Sequence, residues 1–86
     1  QMDGKIVQIQ PVEVVTVKHK HSFSVTIMHV VMFESVTLSV AFYDENNACI
    51  DRENFTLTGA DYSNWGTDDN YLVNYVAAKY GMQVQN

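Results

Sequence analysis

Between positions 22 and 43 the chain carries two runs in which apolar and polar residues alternate. A two-residue period is the mark of a β-strand with one buried face, because successive side chains leave a strand on opposite sides. In "SFSVTIMHVVMF" the odd positions Phe23, Val25, Ile27, His29, Val31 and Phe33 fall on one side. In "SVTLSVAFYD", Val36, Leu38, Val40 and Phe42 share one face, and Ser35, Thr37, Ser39, Ala41 and Tyr43 share the other. The same period continues on both flanks. "KIVQIQPVEVVTVKH" reads as two strand pieces interrupted at Pro11, which has no N–H to donate and suits an edge or a bend. "DENN" is turn chemistry, since Asp and Asn bond their own backbone and tolerate left-handed dihedrals. "ACIDRENFTLT" then resumes as a strand with Phe55 and Leu57 facing one way, and its polar residues 51–54 mark an edge or a bulge. These runs predict a mainly β fold, an antiparallel β-sandwich or half-barrel of four to six strands in a single domain over residues 1–86.

The period changes at the C-terminal end, in "TGADYSNWGTDDNYLVNYVAAKYGM". Thr58 and Asp61 have the spacing of a capping pair, which predicts one helical turn over "GADYSNW" with Tyr62 and Trp65 in it and Gly66 as its stop. Thr67 is then a suitable N-cap for a second helix. Asp68 and Asp69 fall in its first turn, where the helix dipole favours negative charge. Leu72, Val73, Val76, Ala77 and Tyr80 form an apolar stripe, and Gly81 supplies a left-handed stop. One C-terminal α-helix over about 68–80 is the expectation, with Trp65 buried between the turn into the helix and the sheet.

Helix physics accounts for the conspicuous acids better than chemistry does. A calcium loop counted from Asp61 places Trp65 and Leu72 where oxygen ligands are needed. Asp68 and Asp69 diverge on a helix and have no partner to separate their pKa values. His19 and His21 could share a strand face around a metal, but no third ligand is evident. His29 on an apolar face reads as half-buried, and Cys49 as a small core residue. That single cysteine excludes an internal disulfide and fits a reducing compartment. No nucleophile–base pair, metal set or phosphate loop is visible, so no enzyme, cofactor or small-molecule substrate is expected.

Charge narrows the partners. The formal net charge of −5 argues against nucleic acid, which needs a positive footprint. No apolar run approaches the roughly 20 residues of a membrane span. Residues 44–69 hold seven acids against Arg52, whereas Lys18, His19, Lys20 and His21 form a small basic knot. The knot, together with Tyr71 and Tyr75 at i, i+4 beside the apolar stripe, gives the candidate partner contacts.

The order of alternating strands, then "LTGADYSNWGTDDNYLVNYVAAKYGM", resembles short proteins encoded among the virion genes of tailed bacteriophages. In those, an L-T-G-x-D-Y-x-x-W-G-x-D-D-x-Y segment precedes a short helix and a Gly. The match runs over about residues 35–82 and includes Leu57, Thr58, Gly59, Asp61, Tyr62, Trp65, Gly66, Asp68, Asp69, Tyr71 and Gly81. The resemblance implies a non-catalytic capsid-, neck- or tail-associated particle component, made in the host cytoplasm and held by other virion proteins and copies of itself. A small monomeric β-sandwich module binding a protein or carbohydrate is the alternative.

Overall fold

Four apolar residues at alternate positions of one strand decide the architecture. Val36, Leu38, Val40 and Phe42 are all completely buried, and they lie on β2 (Ser35–Tyr43), the central strand of the sheet. β1 (Ser22–Val31) and β3 (Cys49–Thr58) flank it, both antiparallel, in the order β1-β2-β3. The computed structural model describes residues 4–85.

Register puts Phe23, Val25 and Ile27 of β1 opposite Phe42, Val40 and Leu38, and Leu57 and Phe55 of β3 opposite Val36 and Leu38. All therefore share the apolar face. Two helices close it, α1 (Gly59–Trp65) and α2 (Asp69–Lys79). Trp65 and Leu72 pack at the end near Val36 and Leu38, and Val76 and Tyr80 at the end near Val40 and Phe42. The opposite face carries no helix and is rich in hydroxyl side chains, with Thr37 bonded across the ladder to Thr56 (2.9 Å) and Ser24 to Tyr43 (3.0 Å), while Arg52 reaches over the buried Ser39 (3.4 Å).

The mainly β character, the antiparallel sheet and the C-terminal helix are as the sequence predicts. The finer expectation of four to six strands in a sandwich or half-barrel differs: the described residues hold three strands, and helices rather than a second sheet cover the apolar face. The difference lies upstream of β1. Residues 5–19, read as two strand pieces, form no regular structure and are exposed throughout. They have the composition of a strand but no neighbouring strand to pair with, and unpaired backbone gains nothing from an extended shape. They project as an arm. Its reach gives principal extents of 71 × 29 × 18 Å and a radius of gyration of 20.2 Å, against about 12 Å for a compact chain of this length.

Three local readings are corrected by backbone geometry. The register of β1 shifts between Ile27 and His29, so Met28 is an extra residue and the face alternation inverts beyond it. His29 then opposes Thr37 on the polar face and is exposed, Val30 rather than Val31 continues the apolar face, and Phe33 lies in the turn. Cys49 is exposed at the start of β3. A second shift between Phe42 and Tyr43 makes Ile50 the bulged residue of β3, in keeping with the expected edge or bulge.

The helix ends also differ in detail. Asp68, not Thr67, caps α2: its Oδ1 accepts from the Asn70 N–H at 3.0 Å. Gly66 ends α1 in the left-handed region, and Thr67 follows it there with φ of 65°, so Thr67 cannot hold an extended cap conformation. Its hydroxyl bonds back to the Gly66 carbonyl instead. Thr58 occupies the N-cap of α1 without a side-chain cap bond. At the other end the sequence signal is met in full. The Met82 N–H donates to the Ala77 carbonyl (2.8 Å) and the Gly81 N–H to that of Ala78 (3.3 Å), a Schellman pair with Gly81 at φ 65°.

Candidate assembly surface

Among the described residues, apolar surface remains exposed in three places on the β1 side of the chain or upstream of it. The first is the arm. Ile6, Val7, Ile9, Val12, Val14, Val15 and Val17 are between 62% and 84% exposed. A small body with a complete core seldom leaves seven β-branched side chains in water, and exposed apolar patches of that kind mark interaction sites.

The second is the apex of the β1–β2 hairpin. The Glu34 N–H donates to the Val31 carbonyl (2.9 Å) and closes a tight turn, with Phe33 at φ 66°. A left-handed backbone under an aromatic residue is uncommon and costs on the order of 1–2 kcal/mol. It is held by the Phe33 N–H donating to the Tyr62 hydroxyl of α1 (2.9 Å). The Phe33 ring is 90% exposed, beside the exposed Met32. Alternation gave no warning of this turn, which contains no Gly, Asn, Asp or Pro. The signal present in the sequence is the run Val30, Val31, Met32, Phe33, where four apolar residues in a row break the period.

The third is a groove between β1 and α2. Its wider part, about 530 Å³, is lined by Phe23, Val25, Val73, Met82 and Val84 with Lys20 and His21 at its rim. A second part of about 360 Å³ shares Val25 and Val73 and continues past Ile27 to Asp69. The groove exists because α2 sits over β2 and β3, leaving the helix-side face of β1 half covered.

The basic knot is divided by the fold. Lys20 turns inward, its Nζ 3.9 Å from the centre of the Phe42 ring and 3.3 Å from Asp51 Oδ2 on β3. His21 extends the β1–β2 ladder by one rung, its N–H donating to the Tyr43 carbonyl at 2.8 Å. His19 stands edge-on to His21 with ring centres 6.4 Å apart, and Lys18 and His19 are exposed on the arm. Lys20, a candidate partner contact in the sequence, therefore meets an acid of its own chain.

Tyr71 and Tyr75 are half-buried. Their rings lie 6.2 Å apart, and Tyr75 also packs 6.0 Å from Phe55. Burial, and then the Asp61 carboxylate, hold the Tyr75 hydroxyl above the usual phenol range. Tyr80 is raised in the same way by burial and then by Glu53. The Tyr80 hydroxyl meets no partner in hydrogen-bond geometry, so Glu53 acts on it as a nearby charge. Trp65, 6% exposed, is buried as the sequence predicts.

Among the described residues no cluster of three His, Cys, Asp or Glu is placed to hold a metal, and no helix is long and apolar enough to cross a membrane. No protein-family model, no curated protein and no solved structure matches the chain.

Proposed function

We propose that this chain is a non-enzymatic structural component of a tailed-phage virion, capsid-, neck- or tail-associated, that works through contacts with other virion proteins and with copies of itself. The observation that carries the reading is the exposed apolar arm on a body whose own core is already closed. Burying one Val or Ile side chain stabilises by about 1.5–3 kcal/mol, so the arm holds enough unspent apolar surface to fix a subunit in a larger assembly. The acidic body supports protein partners over nucleic acid: residues 22–85 hold eight acids against Arg52 and Lys79. On this reading the two strand pieces around Pro11 become strands on assembly, and a sheet of four or more strands belongs to the particle rather than to the separate chain.

Mass spectrometry of gradient-purified particles from cells making the chain tests the proposal. A fixed, multiple copy number per particle is expected. Absence from particles, with the chain left free in the lysate, overturns it. The alternative reading, a monomeric binding module, draws on the groove beside β1; a persistent monomer that binds glycans or a host protein through that groove would favour it.

A further inference from the structure

Resting on the assembly reading, we infer that residues 12–17 of one copy add as a fourth strand to the free edge of β1 in a second copy, filling the groove between β1 and α2.

Three observations select this occupant. The first is a matched pair of vacancies within one chain. β1 is hydrogen-bonded to β2 only, so the outward half of its backbone groups faces solvent over Ser22–Val31. The arm supplies "VEVVTV", with Val12 and Val14 on one face and Val15 and Val17 on the other, and its backbone has no strand partner. Main-chain pairing along an edge with alternate side chains seated in a groove is the ordinary mode of strand addition.

The second is the contrast between the two sheet edges. β3 is the other free edge, but it carries Asp51, Arg52 and Glu53, charges of the kind by which sheets repel an added strand, whereas a bulge is common to both edges (Ile50 in β3, Met28 in β1). β1 has no Lys, Arg, Asp or Glu along its length. It also has the apolar groove at its side, floored by Phe23, Val25, Ile27 and Val73.

The third is charge and tethering. Residues 1–21 hold Lys5, Lys18 and Lys20 against Asp3 and Glu13, whereas the body is strongly acidic, and Asp69 stands at one end of the groove. A basic arm on an acidic body favours a second copy as the partner. The chain's own arm would reach its own β1 through a four-residue loop at 18–21. That loop is committed elsewhere, because His21 is in the ladder and Lys20 is tied across β2 to Asp51. The Lys20 side chain thus reaches across Phe42 towards β3, away from the free edge. Exchange in which each arm leaves its own body and pairs with the next generates a chain or ring of copies.

The test uses the full chain. Sedimentation equilibrium should show self-association of the wild type, and Val15→Pro, which removes one strand N–H and fixes φ, should weaken it at least tenfold. Val15→Pro should leave the thermal midpoint of the dilute protein unchanged, since the arm adds nothing to the core. A photo-crosslinker (p-benzoylphenylalanine) in place of Val15, in an equal mixture of isotope-labelled and unlabelled chains, should give crosslinks to residues 22–31 between copies. Crosslinks confined to one chain would mean an intramolecular hairpin and would overturn the inference, as would a monomeric wild type at every concentration. A monomer that still enters particles at fixed copy number removes arm exchange and keeps the virion reading; an arm-exchanged oligomer absent from particles does the reverse.

Discussion

Residues 12–17, "VEVVTV", and residues 35–40, "SVTLSV", are nearly equal in β-forming chemistry and opposite in fate. The second lies at the centre of the sheet with Val36, Leu38 and Val40 completely buried; the first stands in water with Val12, Val14, Val15 and Val17 each more than 70% exposed. Local preference does not separate them, because Val and Thr fill both. Neighbours do. β2 has a ladder on each side and two helices above one face, so each ordered residue gains hydrogen bonds and burial together. The arm would lose about 1–2 kcal/mol of backbone freedom per residue on ordering, with no packing to offset it. A strand is a property of a pair. A segment that reads as a strand and stays single keeps its apolar side chains and its backbone groups in water.

The contrast is tested most severely at Trp65 and Val14. Trp65 closes the core cluster formed with Val36, Leu38, Leu57 and Leu72, so Trp65→Ala should cost about 3–5 kcal/mol by chemical denaturation. Val14→Ala, an equally apolar truncation in the arm, should change the stability of the dilute chain by less than about 0.5 kcal/mol. Comparable losses from the two would show the arm packed in solution, and the distinction between the regions would vanish.

The packed region was also the legible one. The alternation of β2 is legible because its buried face is complete; Leu72, Val76 and Tyr80 are legible from helical spacing for the same reason, and Trp65 from its place in the turn entering the helix. The turn at 44–47 was legible through side-chain chemistry: Asp44 Oδ1 accepts from the Asn46 and Ala48 N–H groups (2.9 and 3.0 Å), and Asn47 sits at φ 63°. What stayed hidden depends on register. One inserted residue at Met28 moves His29 to the opposite face, and no composition signal records an insertion. The arm's isolation was hidden too, because a period of two reports a face and not whether anything covers it. At the candidate surface, Lys18, Lys20 and the histidines were visible as a basic cluster, but the inward turn of Lys20 over Phe42 follows only from the sheet beneath it.

The two ends of α2 give smaller, graded effects. Gly81→Val forces a β-branched residue into the left-handed region at the Schellman turn and should cost about 1–2 kcal/mol. Asp68→Ala removes the cap bond to Asn70 and should cost about 1 kcal/mol. Thr67→Ala should fall within a few tenths, since the Thr67 hydroxyl serves only its neighbouring carbonyl. Urea midpoints of the three variants rank them directly. A Thr67→Ala loss exceeding that of Asp68→Ala would return the cap to Thr67.

Phe33 should also give a small stability effect, and its sign is informative. A hairpin designed only for stability would place Gly or Asn where Phe33 sits at φ 66°. Phe33→Gly relieves the left-handed strain and loses almost no burial, because the ring is 90% exposed. The gain is partly offset by the extra freedom of glycine in the unfolded chain. The net change should lie within about 0.5 kcal/mol of zero or on the stabilising side, read from the thermal midpoint of the dilute protein. On the assembly reading, the strain under this exposed ring is kept for a contact that the separate chain does not make. The same variant should therefore enter particles at reduced occupancy while folding at least as well as the wild type. A clear loss of stability would place the ring among the groups that hold the body together. Full occupancy with unchanged stability would leave the apex outside the assembly surface, and the arm would carry the contact without it.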